Sequence, residues 1–71
     1  MNQINPRKLE LSKWTAIEPR DRERHFLVSE VDIDADGVVI ECILQAVLTQ
    51  RESAIDWRDL KDSSHWLQGW R

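Results

Sequence analysis

Tyrosine is absent from these 71 residues, phenylalanine and cysteine occur once each, and glycine and proline twice each. A single thiol, Cys42, excludes an internal disulfide, and with no apolar leader-like run near the N-terminus a reducing cytoplasm is the expected compartment. Long hydrophobic runs are also missing. The longest, Val38 to Leu48, is broken by Glu41 and Gln45, far short of the roughly 20 apolar residues a membrane span needs. No basic excess exists either: 10 Lys and Arg stand against 13 Asp and Glu, a formal charge of -3. That balance argues against a general affinity for phosphate backbones, so any nucleic-acid role requires a local basic patch. No repeat or low-complexity segment interrupts the chain.

What is present in excess is tryptophan, at positions 14, 57, 66 and 70. Each indole brings a large apolar area and one N–H donor, suited to anchoring a small core or a binding surface. With 41% hydrophobic and 32% charged residues the chain reads as an ordered single domain over 1–71, its core in 11–70. At this size a single core is only just sufficient, which accounts for part of the tryptophan content.

Local signals place the elements. Asn5-Pro6 is an N-cap followed by proline at the first helical position, predicting a helical turn over Pro6 to Leu9. Leu11 to Ile17 reads as a strand ended by Glu18-Pro19, and Arg20 to Arg24 as a charged loop. His25 opens a second strand reaching Asp32. Asp36-Gly37, between two apolar runs, is the dipeptide of a two-residue type I′ hairpin turn. Taken literally, that turn sets Ile33 opposite Ile40, Val31 opposite Cys42, Ser29 opposite Leu44 and Leu27 opposite Ala46. A second two-residue loop, Gln50-Arg51, sets Ala46 opposite Ile55 and Leu44 opposite Trp57. Both hairpins then send Leu27, Val31, Ile33, Ile40, Cys42, Leu44, Ala46, Leu48, Ile55 and Trp57 to one face. On the other face Phe26, Val28, Ile43, Val47 and Ala54 form an apolar group that something should cover. Lys61 to Trp70 reads as a short helix capped by Asp62 or Ser63 and stopped near Gly69, with Trp66 docking it onto the sheet. The fold class expected is mainly β: a small twisted antiparallel meander or SH3-like half-barrel, with a short C-terminal helix and an N-terminal helical turn.

Several segments carry a likeness to a known family: Lys8-Leu9, Ser12-Lys13-Trp14-Thr15-Ala16, His25-Phe26, Ala46-Val47-Leu48, Asp56 to Asp62, and Gly69-Trp70-Arg71. Through them nearly the whole chain resembles the small bacterial tryptophan-rich protein family, a domain of unknown function. The resemblance implies a short, single, cytosolic domain, for some members encoded near photolyase-like genes, and it carries over no catalytic residues.

Asp32, Asp34, Asp36 and Gly37 match the first half of a calcium loop, but the position for the bidentate acid is Ile43 and the flanks read as strands, so a hairpin turn with acidic flanks is expected. His25, His65 and Cys42 lack the paired spacing of a zinc site. Ser63, Ser64 and His65 follow Asp62 at what reads as a helix start, where capping explains them. No enzyme activity, catalytic residue, metal or cofactor is therefore expected. The remaining class is a cytoplasmic interaction module. Lys13, Trp14, Arg20, Arg22, Arg24, Trp70 and Arg71 set cations beside aromatics, the pairing that stacks bases while holding phosphates. They are the expected contacts for a nucleic-acid or protein partner, the alternative being a protein-only accessory domain or homodimer joined through Phe26, Val28 and Val47.

Overall fold

The structure is a computed structural model and describes all residues from Met1 to Arg71. Five antiparallel strands form one sheet: β1 (Lys13–Arg20), β2 (Glu23–Ile33), β3 (Val39–Ala46), β4 (Glu52–Ala54) and β5 (Trp66–Gln68), in the spatial order β4-β3-β2-β1-β5. The fold is mainly β, with two short 3-10 turns at Pro6–Lys8 and Trp57–Lys61. As the Asn5-Pro6 signal predicts, the Asn5 side chain accepts the Arg7 amide and Pro6 opens the first turn.

Two hairpins differ from expectation in an informative way. The tight two-residue turn of the molecule lies at Asp21-Arg22, both with positive φ (54° and 65°), and Arg20 pairs with Glu23 across it. Hence Arg20 to Arg24 is not a loop but the end of a hairpin. β1 runs through Pro19 because β5 pairs only Trp14 to Ala16, leaving the far part of β1 without a ladder on that side. Asp36-Gly37 closes β2 to β3 through a longer loop. The Gly37 amide donates to the Asp34 carbonyl (3.0 Å), the Asp34 amide to the Val38 carbonyl (2.9 Å), and Gly37 takes φ 80°. This is the three-residue hairpin loop with glycine at its left-handed position.

Register then shifts twice. Val31 faces Cys42 as expected, but Ile33 faces Val39 on one side and Val28 faces Leu44 on the other, with extra residues at Ile40 and Ser29. A one-residue slip exchanges the faces of a strand. The bulge at Ser29 therefore turns Phe26 and Val28 inward, where Val28 is fully buried, and Leu27 leaves the core face. So the expected outer group of Phe26, Val28 and Val47 does not form. The bulge at Ile40 leaves that side chain 61% exposed, and Ile33 and Leu48 are exposed as well. In the second hairpin Leu44 faces Ser53, since the turn spans 47–50 and the Ala46 amide bonds the Arg51 carbonyl (2.9 Å). Parity survives this shift, so Ile55 still packs on the core.

The core is Leu9, Trp14, Val28, Cys42, Leu44 and Leu60, ringed by Ile4, Phe26, Val31, Val39, Ile55, Trp57 and Trp66. Leu9 and Leu60 come from the two 3-10 regions, which close the open side of the sheet. Asn2 ties the N-terminal segment in place, donating to the Leu60 (2.9 Å) and Trp66 (2.8 Å) carbonyls. No helix forms after Asp62. A helix of so few residues is marginal by itself, whereas Trp66–Gln68 gains ladder bonds on the open edge of β1.

Candidate functional site

Strand alternation decides how the tryptophans divide. Along β1, Trp14 and Ala16 point to the core side, while Lys13 and Thr15 point to the opposite face of the sheet. Trp14 is 2% exposed, and its Nε1–H donates to Ser12 Oγ (2.8 Å). It is a core residue and offers nothing to a partner, contrary to its expected place among the binding residues. Trp57 is half-buried on the core rim, and Trp66 meets Phe26 edge-on, with centroids 5.2 Å apart.

Trp70 is different. After β5, Gly69 adopts φ 81° and sends the last residues back across the outer face of β1 and β2. Four contacts hold them. The Gly69 amide donates to the Lys13 carbonyl (2.8 Å), the Thr15 hydroxyl donates to the Gly69 carbonyl (2.7 Å), the Arg71 amide donates to Thr15 Oγ1 (2.9 Å), and Trp70 Nε1–H donates to the Phe26 carbonyl (2.9 Å). With its one polar atom satisfied by the backbone, the indole lies on the sheet 45% exposed. Lys13 Nζ sits 4.8 Å from its centroid, and the His25 ring is 6.1 Å away, tilted by 43°. His25 Nε2 in turn lies 2.9 Å from the Arg71 carbonyl oxygen. Lys13, His25, Trp70 and Arg71 thus form one surface cluster. His25 and Thr15 were missed in the sequence as members of it. The available signal was their period-two spacing with Lys13 and Leu27, but nothing local indicates that the C-terminus returns to this face.

Arg20, Arg22 and Arg24 are exposed at and beside the hairpin end, and none makes an ion pair. The basic residue that is paired there is Arg51, which binds the buried carboxylate of Glu23 together with the Thr49 hydroxyl. The Thr49 bond, then Arg51, holds the Glu23 carboxyl below its ordinary value against the opposing effect of burial. The bases are unevenly distributed, although Glu18, Asp21 and Glu23 lie among the hairpin arginines. Every Lys and Arg lies outside residues 26–50, which hold Glu30, Asp32, Asp34, Asp36 and Glu41. These acids belong to β2, β3 and the loop between them, at the end of that hairpin remote from Arg20 to Arg24.

Other candidate groups resolve into local structure. The Asp34 carboxylate accepts the amides of Asp36 and Val38 (both 2.9 Å), so the acidic loop is tied by its own side chain. Cys42 is buried, which pushes its thiol up and keeps it from nucleophilic use. Asp62, Ser64 and His65 do converge, yet not as a catalytic triad. Asp62 Oδ2 (2.7 Å) and Ser64 Oγ (3.2 Å) both approach His65 Nδ1, whereas a base activating the serine would face it with the other ring nitrogen. The Ser64 hydroxyl, then the His65 ring, lowers the Asp62 carboxyl to about 2. No helix of the protein is long and apolar enough to cross a membrane.

No curated protein and no solved structure matches the chain. A family model, however, covers residues 12–71, and it includes both elements that meet on the outer face, Lys13-Trp14-Thr15-Ala16 and Gly69-Trp70-Arg71. The chain belongs to the tryptophan-rich protein family DUF2389, a family of unknown function.

Proposed function

We propose that this protein is a non-enzymatic, cytoplasmic interaction module that binds single-stranded nucleic acid. Trp70 serves as the stacking platform, Lys13 and Arg71 hold the flanking phosphates, and Arg22 and Arg24 at the hairpin end extend the basic track, whereas Arg20 turns to the opposite face beside Ala16 and Glu18. The observation carrying this reading is the exposure of Trp70: Trp57 also has a lysine over its ring (Lys61 Nζ, 4.7 Å) and an arginine beside it, but only the Trp70 indole combines such contacts with 45% exposure. Base–aromatic stacking contributes about 1–3 kcal/mol per base and tolerates any sequence.

Outside residues 26–50 the ten bases exceed the eight acids, which reduces the objection from net charge. A strand approaching the Trp70 face meets the basic part of the chain, and the acids of residues 26–50 lie toward the other end of the β2–β3 hairpin. Backbone strain supports a role for the hairpin. A two-residue turn with both residues at positive φ favours Asn-Gly or Asp-Gly, so Arg22 at φ 65° costs about 1 kcal/mol relative to glycine. Strain of that kind is retained where the side chain is needed. The strand order, with a 3-10 turn before the last strand, also suits an SH3-like half-barrel. Such barrels often present aromatics to peptides or nucleic acid, an argument by fold analogy only.

Titration with an oligothymidylate, read by tryptophan fluorescence, tests the proposal. With about four phosphates neutralised, affinity should fall about 50-fold between roughly 50 and 200 mM salt. Absence of quenching, or binding indifferent to salt, would overturn it.

A further inference from the structure

A cleft of about 300 Å³ opens on the opposite face of β1 from Trp70, between the β1–β2 hairpin, the β3–β4 turn and the start of β5. That volume lies at the lower end of the range for small-molecule sites. Its lining combines two chemistries. One wall is aromatic: Phe26 and Trp66, locked at 84° to each other, present a fixed ring surface. The rim is cationic and polar, with Arg20, Arg51, His65 and Glu18.

Glu23 positions Arg51 and Asp62 positions His65, and the polar groups of the rim have capacity left. Arg20 makes no ion pair. Arg51 contacts Glu23 through one terminal nitrogen, so its other N–H donors remain available, and its side chain is 67% exposed. Glu23 is occupied by Thr49 and Arg51, so its charge is compensated rather than turned on an incoming anion. His65 Nδ1–H donates to Asp62, which leaves Nε2 as an acceptor for a ligand's amino group. Glu18 supplies an acceptor for an amino group.

An aromatic wall for a base, the unpaired Arg20 guanidinium with the remaining N–H donors of Arg51 for an anion, and Glu18 with His65 Nε2 as acceptors for an exocyclic amine together describe one ligand class. We infer that the cleft binds a nucleoside monophosphate, either free or as the phosphorylated end of a strand. The site is separate from the Trp70 surface and stands whether or not that surface binds a strand.

The experiment uses the full chain with ¹⁵N-labelled indoles, titrated with AMP to about 5 mM, a range that captures millimolar binding. Saturable movement of the Trp66 indole signal is the expected result, with adenosine binding at least about tenfold more weakly because it lacks the phosphate. Arg20→Glu, a substitution at an exposed position, should reduce AMP affinity about tenfold or more, whereas Lys8→Glu should leave it unchanged. No saturable shift at Trp66, equal affinity for adenosine and AMP, or wild-type binding by Arg20→Glu would each overturn the inference. Perturbation confined to the Trp70 indole would do so as well, while leaving the strand-binding reading intact. A 5′-phosphorylated oligonucleotide shifting Trp66 where its 5′-hydroxyl counterpart does not identifies a strand end as the source. Equal behaviour of the two oligonucleotides, with AMP bound, identifies the free nucleotide.

Discussion

Lys13 Nζ lies 4.8 Å from the centroid of the Trp70 indole, so a residue of the first strand is joined to the C-terminal segment across the outer face of the sheet. A cation over an aromatic ring at an exposed site contributes about 0.5–1 kcal/mol. Together with the bond from Nε1–H to the Phe26 carbonyl, this contact ties the ring to both β1 and β2. Trp70 and Trp14 are therefore expected to behave very differently on substitution.

Trp70→Ala should lower stability by about 2–3 kcal/mol, through loss of one hydrogen bond, the cation contact and the part of the indole packed on the sheet, and should remove strand binding. Trp14→Ala empties a fully buried site and should cost about 3–5 kcal/mol. Urea denaturation of both variants, beside oligonucleotide titration of the first, separates the roles. Equal destabilisation by the two would contradict the division.

Thr15 is 1% exposed and its hydroxyl both donates to Gly69 and accepts from Arg71. Thr15→Val keeps the shape and removes both bonds, for an expected loss of about 1–2 kcal/mol. The C-terminal residues should also loosen. Quenching by acrylamide should reach Trp70 more readily in the variant, and unchanged access would show that Thr15 does not hold this segment.

Arg22 occupies a left-handed conformation that glycine adopts freely. Arg22→Gly should therefore match or exceed the parent in melting temperature while weakening oligonucleotide binding and its salt dependence. A lower melting temperature would refute the strain argument. Undiminished binding would instead remove Arg22 from the partner surface.

The acid limb of stability should carry the signature of Glu23 and Asp62. Both carboxyls sit below their ordinary values in the folded chain, Asp62 at about 2. Their contributions are complete above the unfolded values near about 4 and are lost as pH falls through the folded ones. Wild type should thus weaken between about pH 4 and pH 2. Glu23→Gln should be less stable at neutral pH and lose less on acidification, measured as the urea midpoint at about pH 7 and pH 3. Parallel losses would show that Glu23 does not contribute.

Much of the architecture was legible locally. Asn5-Pro6 predicts its turn, the alternation of β3 places Cys42, Leu44 and Ala46 inward, and the acidic loop closes a hairpin as Asp36-Gly37 suggests. The failures share a cause. Ser29 and Ile40 carry no mark of a bulge, yet each shifts the register by one and exchanges inner and outer side chains. Likewise Asp62-Ser63-Ser64 is a sound helix start, and its turn does form, but the following residues find a free strand edge on β1.

By itself, then, the amino-acid sequence determined the mainly β class, the family, and the inward face of β3, because these depend on short-range pattern. Only the tertiary structure decided which tryptophan is exposed. The positive φ at Gly69 and the bonds to Thr15 bring residues more than fifty positions apart into contact, and such long-range closure leaves no local trace in the chain.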